Sequence, residues 1–233
     1  MSTRQPTVFI PALLCDEMLY QDVIAALSDV IEAQVLMSPK ASMSESVEDI
    51  LARAPRTFAL VGTSYGANLA LAVALAAPER VSALWLMGCD ANAPKAGGPD
   101  LAAGLEATPD AIVEFLAGIV VRPADQAASA AFKAMAQRVG APAGAAQARA
   151  LAGRGDIWSS LGELHMPALI MSGSEDPIAP PACGQQLAQA MPHARFELMS
   201  QCGHLPALEQ PARSAASFRV FLCEDAPHRH PTR

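Results

Sequence analysis

Short apolar runs alternate with longer amphipathic stretches along most of this 233-residue chain. Apolar runs bounded by Gly, Pro and polar clusters predict buried β-strands, and apolar residues at helical spacing predict helices between them. The predicted strands are 7–10, 32–37, 57–61, 81–87, 167–172 and 194–199. The predicted helices are 17–28, 45–54, 65–77, 180–190 and 207–222. This alternation predicts an α/β fold: a mostly parallel, doubly wound sheet of about six strands with helices on both faces.

The interval 93–157 departs from this alternation, because it contains helical pieces separated by Pro and Gly and no strand pattern. In open α/β sheets, ligands bind at the edge formed by the carboxyl ends of the strands. We therefore expect 93–157 to form a small helical cap over that edge, inserted into a core made of 1–92 and 158–223. The polar, proline-bearing residues 224–233 predict a disordered tail.

Charge and composition exclude several classes of partner. The net charge is −7, and no basic stripe is available to neutralise phosphates, which argues against nucleic acid and against an anionic membrane surface. No apolar run approaches the ~20 residues needed to cross a bilayer. The five cysteines are odd in number and include no C-x-x-C pair, so they predict neither a disulfide framework nor a metal site. We expect a reducing compartment, the cytoplasm, and the sequence does not indicate an oligomeric state.

One serine stands between two glycines directly after a predicted strand. Residues 62–66 read Gly-Thr-Ser-Tyr-Gly, and the alanine- and leucine-rich stretch that follows predicts a helix. Bulky neighbours would clash in so sharp a strand–turn–helix, which explains the two glycines. Ser64 would then adopt a strained backbone conformation with its hydroxyl exposed at the end of the strand. The five-residue pattern alone is common, but in this context it makes Ser64 a candidate nucleophile.

A serine hydroxyl becomes a good nucleophile only when a base takes its proton, and a carboxylate orients that base. The chain supplies both groups after predicted strands. Asp176 ends the segment Gly-Ser-Glu-Asp that begins at the end of strand 167–172, and His204 ends the segment Cys-Gly-His that follows strand 194–199. The carboxyl ends of parallel strands share one edge of a sheet, so Ser64, Asp176 and His204 are candidates for one site.

With these motifs in this order, the sequence resembles the α/β-hydrolase superfamily over nearly its whole length. The resemblance rests on the segments 62–66, 173–176 and 202–204, and Leu-Glu-Gln-Pro at 208–211 is a typical continuation. It implies the same α/β fold that the alternation of strands and helices predicts, and it implies a hydrolase.

The resemblance assigns roles to the candidate residues. It implies that Ser64 is the nucleophile, His204 the general base and Asp176 the acid that orients the base. Some members of the superfamily take the acid from the end of the strand that follows the nucleophile helix. Asp90 lies there in this chain and is the alternative acid.

The resemblance also implies an oxyanion hole made of two backbone N–H groups. One donor would be Tyr65, the residue after the nucleophile, and the other would come from the loop after the first strand. Many family members have His-Gly in that loop, whereas residues 11–13 here are Pro-Ala-Leu. Leu13 is the candidate donor, because a backbone N–H needs no particular side chain.

The activity implied by the resemblance is hydrolysis of small carboxylic esters through an acyl-enzyme, with a small-molecule substrate and no metal or organic cofactor. A thioesterase, lactonase, C–C hydrolase or perhydrolase would use the same triad, and the fold does not choose among them. A protein of a different class, a non-catalytic receptor that binds a ligand on the same scaffold, is the alternative to an enzyme.

Residues of the predicted cap could line an acyl pocket, although their spacing fits helix packing equally well. These residues are Phe115, Ile119, Phe132 and Met135.

Overall fold

The computed structural model describes residues 4–94 and 97–225, so 226–233 of the predicted tail lie outside the described residues. The described chain forms one six-stranded sheet in the order β2-β1-β3-β4-β5-β6, and every neighbouring pair of strands is parallel. The strands are β1 Gln5–Ile10, β2 Ile31–Val35, β3 Phe58–Thr63, β4 Val81–Met87, β5 Ala168–Gly173 and β6 Ala194–Met199. The predicted doubly wound α/β fold is confirmed.

Helices cover both faces of the sheet. The α-helices are α1 Gln21–Leu27, α2 Met43–Arg53, α3 Tyr65–Ala76, α4 Leu101–Ala107, α5 Pro109–Ala117, α6 Gln126–Val139, α7 Ala141–Ala152, α8 Pro181–Ala190, α9 Pro206–Glu209 and α10 Pro211–Asp225. Short 3₁₀ turns lie at Glu17–Tyr20, Pro78–Arg80 and Trp158–Glu163. In the part of the chain that the structure describes, no helix is long and apolar enough to cross a membrane.

Two predicted helices are each divided in the structure. The segment predicted at 17–28 begins as the 3₁₀ turn Glu17–Tyr20 and continues as α1. The segment predicted at 207–222 is broken at Gln210 (φ −138°, ψ 59°), between α9 and α10. Pro211 explains the second break, because a proline disfavours helical backbone angles at the residue before it.

The core consists of two layers, one on each side of the sheet. Alternate residues of a strand face opposite layers: Val61 and Trp85 face the layer that includes α1 and α10, whereas Leu60 and Leu84 face the layer with α2, α3 and α8. β3 and β5 are buried along their entire length. Both faces are covered, so these strands appear in the sequence as continuous apolar runs rather than as alternating ones.

Four helices, α4–α7, lie between β4 and β5, and we call the segment 101–152, which contains these helices and their connections, the helical insertion. They lie within 93–157, the interval predicted to form a cap. Their buried residues, such as Leu105 and Phe132, belong to the same apolar cluster as Leu14, Cys15 and Leu205, which follow strands of the core. The helical insertion therefore packs against loops at the carboxyl edge of the sheet.

The basic side chains that the structure describes in 93–157 are paired within the protein. Four of them lie within 4 Å of a carboxylate, the distance of an ion pair. The pairs are Arg122–Glu209, Lys133–Glu114, Arg138–Asp16 and Arg149–Glu106. Arg154 donates instead to the carbonyl oxygens of Leu151 and Asn92. These contacts favour structural roles for the cations over a site for an anionic substrate.

Candidate active site

Ser64 occupies the single position between β3 and α3. Its backbone has φ 55° and ψ −116°, in the region of positive φ that non-glycine residues adopt only under constraint. The neighbouring glycines permit this turn. A Cβ on Gly62 would overlap the carbonyl oxygen of Gly66, and a Cβ on Gly66 would overlap that of Ile10. The turn therefore has the strain and the close backbone approach expected from the sequence.

Ser64, His204 and Asp176 form one hydrogen-bonded chain. The Oγ of Ser64 lies 2.8 Å from Nε2 of His204, and Nδ1 of His204 lies 2.7 Å from Oδ2 of Asp176. His204 and Asp176 are buried, with 2% and 4% exposure. An ionised carboxylate only accepts hydrogen bonds, so Nδ1 carries the proton and Nε2 is left to accept from the serine hydroxyl. This arrangement can take a proton from Ser64 as the oxygen attacks an electrophile.

The orientation of Asp176 follows from the turn after β5. Its Oδ1 accepts hydrogen bonds from the backbone N–H groups of Ile178 (2.8 Å) and Ala179 (2.9 Å), which leaves Oδ2 directed at His204. The alternative acid, Asp90, is occupied elsewhere, since its Oδ1 accepts from the backbone and side-chain N–H groups of Asn92. The structure brings Asp176, and not Asp90, against the imidazole.

A buried glutamate holds the loop that carries His204. The carboxylate of Glu209 accepts hydrogen bonds from the backbone N–H groups of Gly203 (3.0 Å), Leu205 (3.4 Å) and Arg122 (3.0 Å). Only 1% of its side chain is exposed, and this burial raises its pKa. Glu209 thus fixes the backbone on both sides of the imidazole and joins it to the helical insertion. The sequence signal for this role is a glutamate in an apolar segment, and the resemblance to the family marks it only as part of a typical continuation.

The two predicted oxyanion donors lie on adjoining segments. Tyr65 is the first residue of α3, so its N–H has no acceptor within the helix. Leu13 lies in the loop after β1, and its N–H has no acceptor among residues 4–94 and 97–225. This loop runs against the first turn of α3, because a Cβ on Gly66 would lie 2.6 Å from the carbonyl oxygen of Pro11.

Tyr20 connects the two segments that carry these donors. Its buried hydroxyl lies 3.0 Å from the carbonyl oxygen of Ile10, at the end of β1, and 2.7 Å from Oγ1 of Thr63, directly before Ser64. The phenol has one proton, so it donates to Ile10 and accepts from Thr63. This role could not be predicted from the sequence, because a tyrosine in an amphipathic segment is typical of ordinary core packing.

The four residues predicted to line an acyl pocket lie in different environments. Phe132 and Met135 are buried in the apolar cluster shared with the core, Ile119 is partly buried against that cluster, and Phe115 is 55% exposed. A cavity of about 490 Å³ lies between α5, α6 and Leu14. The four predicted residues are not among those that line this cavity.

The cysteines should differ sharply in reactivity. Burial raises the pKa of the Cys89 and Cys202 thiols to about 12 and that of Cys15 further, whereas Cys223 is exposed. Since the thiolate is the reactive form, we expect iodoacetamide to modify Cys223 in the folded protein and to spare the three buried thiols. Peptide mass spectrometry measures this, with urea-unfolded protein as the control. Modification of Cys202 as fast as Cys223 in folded protein would contradict the expectation.

Comparison with known proteins agrees with the fold. The family model described as alpha/beta hydrolase fold matches residues 28–211, more than three quarters of the chain. The protein belongs to the α/β-hydrolase family and is an enzyme of that family. No group of three or more His, Cys, Asp or Glu side chains is arranged to hold a metal ion in the ranges that the structure describes.

Two curated relatives align over most of the chain. A pimeloyl-[acyl-carrier protein] methyl ester esterase of Nitrosomonas europaea is 27% identical, over 76% of this chain and 76% of its own length. A 2-hydroxymuconate semialdehyde hydrolase of Pseudomonas putida is 31% identical, over 72% of this chain. The chain spans 64% of the length of this second relative.

Solved structures show the same fold at lower identity. An esterase from Thermogutta terrifontis superposes with a TM-score of 0.85 at 22% identity, covering 97% of this chain and 92% of the other. The enol-lactonase from Burkholderia xenovorans LB400 gives a TM-score of 0.86 at 20% identity, covering 96% and 93%. At such identities these similarities show the architecture alone.

Proposed function

We propose that this protein is a serine hydrolase that cleaves small carboxylic esters through an acyl-enzyme intermediate. The observation that supports it is the chain of hydrogen bonds from Ser64 through His204 to Asp176, at 2.8 and 2.7 Å. In this proposal Ser64 is the nucleophile, His204 the general base and acid, and Asp176 the group that orients the imidazole.

In the proposed reaction, these groups act in two stages, acylation and deacylation of Ser64. Ser64 Oγ attacks the ester carbonyl while Nε2 of His204 takes its proton, and Asp176 stabilises the imidazolium that forms. The N–H groups of Tyr65 and Leu13 bind the oxyanion of the tetrahedral intermediate. The intermediate collapses as His204 returns the proton to the leaving alcohol. Water, activated by the same imidazole, then attacks the acyl-enzyme and releases the acid and the free serine.

The curated relatives support hydrolysis, and they give two candidate substrate classes. The relative named as a methyl ester esterase supports an ester. The other acts, by its name, on 2-hydroxymuconate semialdehyde, which makes C–C hydrolysis the second candidate. We favour an ester, because the esterase relative aligns with a larger share of this chain and of its own length.

Turnover against a substrate panel tests the proposal. The panel contains p-nitrophenyl esters of increasing acyl length, thioesters, lactones and 2-hydroxymuconate semialdehyde, each assayed with wild type and with Ser64→Ala. We expect serine-dependent turnover of the short esters. Turnover of the semialdehyde without any ester would favour the second candidate. Saturable ligand binding without turnover of any substrate would favour a receptor.

We propose further that 93–157 acts as a cap on a core of 1–92 and 158–223 and helps to select the acyl group. A residue that lines the acyl pocket should change discrimination by about 1–3 kcal/mol per methylene when it is shortened. Ile119, partly buried in the helical insertion, is the best-placed of the four predicted residues to do so.

Alanine substitutions separate pocket residues from packing residues. Phe132→Ala and Met135→Ala should lower the free energy of unfolding by about 2–5 kcal/mol, because both side chains are fully buried. Phe115→Ala should change it by about 0.5 kcal/mol or less, and Ile119→Ala should shift acyl-length preference. Thermal unfolding and kcat/KM for an ester series measure both effects. If none of the four variants alters the preference, these residues do not form the acyl pocket.

A further inference from the structure

Gln147 is a buried polar side chain of α7 to which the proposed reaction gives no part. It is 3% exposed, and its Oε1 accepts a hydrogen bond of 3.1 Å from the backbone N–H of Leu14. The donor belongs to the loop 11–16, which follows β1 and carries the proposed oxyanion donor Leu13. We call this segment the β1 loop. A buried side chain of the helical insertion therefore binds directly to the backbone beside the oxyanion site.

The β1 loop needs this support because of the conformation of Leu14. Its φ is 60°, a region that costs a non-glycine residue about 1–3 kcal/mol and persists only where the surroundings enforce it. The leucine side chain is fully buried. It packs against Gly144 of α7 so closely that a Cβ on that glycine would overlap Leu14 Cδ2. Helix α7 thus holds both the backbone and the side chain of Leu14.

The hydrogen bond to Gln147 acts on the peptide unit next to the oxyanion donor. The N–H of Leu14 belongs to the peptide plane between Leu13 and Leu14. Holding this N–H therefore restricts rotation about the Cα–C bond of Leu13. At the other end of this short segment, Tyr20 holds the carbonyl oxygen of Ile10. The intervening peptide, which contains the Leu13 N–H, is held through the Ala12 carbonyl oxygen, which accepts from the N–H of Cys15 at 3.0 Å. Together these contacts restrict the direction of the Leu13 N–H before a substrate binds.

A second contact joins the helical insertion to the same loop. The guanidinium of Arg138, in α6, donates to both carboxylate oxygens of Asp16 at 2.6 and 3.1 Å. The side chain of Asp16 is 5% exposed, and its Oδ1 also accepts from the N–H of Met18 at the start of the 3₁₀ turn. Two helices of the insertion therefore hold the β1 loop, one at Leu14 and one at its carboxyl end.

We propose that Gln147 is a positioning residue for the oxyanion hole, which it serves by holding the Leu13 N–H toward the developing negative charge. This inference rests on the proposed function of the Ser64 site. It means that the helical insertion contributes to the chemical step as well as to substrate choice. An oxyanion donor acts only when it lies within hydrogen-bond distance of the oxyanion, so a small displacement of the loop reduces its effect.

The chemistry of the hydrogen bond selects the variants. The N–H of Leu14 must meet an acceptor, so the amide oxygen of Gln147, not its nitrogen, points at the loop. Gln147→Met keeps the length of the side chain and removes this acceptor. Gln147→Glu keeps an oxygen acceptor at the same position. Arg149→Met is the matched control on α7, because Arg149 pairs with Glu106 of α4 and not with the β1 loop in the described chain.

The test measures kcat and KM of the full chain with p-nitrophenyl acetate, and the rate at which diethyl p-nitrophenyl phosphate phosphorylates Ser64. Full loss of an oxyanion donor costs about 100- to 1,000-fold in kcat, so we expect a loss of about 10- to 100-fold for Gln147→Met from displacement. KM should change little, because the N–H acts on the transition state. The phosphorylation rate should fall in parallel. Gln147→Glu should recover most of the rate, and Arg149→Met should behave as wild type.

Two results would overturn the inference: wild-type kcat in folded Gln147→Met, or an equal loss in Gln147→Met and Gln147→Glu. Should Gln147→Met not fold, Gly144→Ala displaces Leu14 from the same helix and should lower kcat at unchanged KM. Wild-type kcat in that variant would overturn the inference as well. If wild type hydrolyses no ester, the proposed function fails. The variants are then compared through phosphorylation of Ser64 alone, so the two failures remain distinct.

Discussion

Replacement of Ser64 by alanine is expected to lower kcat for ester hydrolysis by a factor on the order of 10⁶, the loss that accompanies removal of a triad nucleophile. In the described chain, the hydroxyl that hydrogen-bonds to Nε2 of His204 is that of Ser64, at 2.8 Å. The proposed oxyanion donors would remain and would support only a small residual rate. The fold should persist, because alanine removes one oxygen from a side chain that few other contacts depend on.

Ester hydrolysis measured beside circular dichroism checks this expectation. Ser44→Ala is the matched control, since Ser44 lies exposed on α2 and should keep wild-type activity. Activity within about tenfold of wild type in folded Ser64→Ala would show that another group attacks the ester, since loss of a true nucleophile costs far more.

Asp176→Asn is expected to cost about 10³- to 10⁴-fold in kcat. An asparagine amide at this position can donate to Nδ1 of His204, which moves the imidazole proton to Nε2. The Nε2 atom could then no longer accept the proton of Ser64. The variant should keep its fold, because the amide oxygen can still accept from the N–H groups of Ile178 and Ala179.

Asp90→Asn provides the matched control for the acid. Asp90→Asn removes one negative charge, as Asp176→Asn does, but in the loop after β4. It should leave kcat nearly unaltered, because the oxygen of an asparagine can still accept from Asn92. Steady-state kinetics of both folded variants makes the comparison. A larger loss in Asp90→Asn than in Asp176→Asn would place the acid after β4 instead of β5.

Much of the sheet could be predicted because its central strands, such as β3 and β5, are buried on both faces. Such strands appear as uninterrupted apolar runs, and each observed strand begins and ends within two residues of its predicted bounds. The meeting of Ser64, Asp176 and His204 could also be predicted, since all three follow strands of one parallel sheet. The break at Gln210 was missed although Pro211 was visible in the sequence, because apolar periodicity continues through it.

The supports of the site left little trace in the sequence. Leu14 adopts a positive φ, and a leucine in the sequence does not predict this conformation. Gln147 lies 133 residues away in the chain from Leu14, whose N–H donates to it. Such a contact depends on how α7 packs against the β1 loop, which no local pattern encodes. The proposed reacting groups were therefore easier to predict from the sequence than the residues that orient them.

Trapping of the acyl-enzyme tests the central claim most directly. Wild type is mixed with p-nitrophenyl acetate, quenched in acid during turnover, digested and mapped by mass spectrometry, with Ser64→Ala treated in the same way. The account predicts an acetyl group on the peptide that contains Ser64, formed together with a burst of p-nitrophenol and absent from the variant. Two results would contradict the account. One is an adduct on a different residue. The other is turnover with no adduct on Ser64 under conditions where deacylation limits the rate.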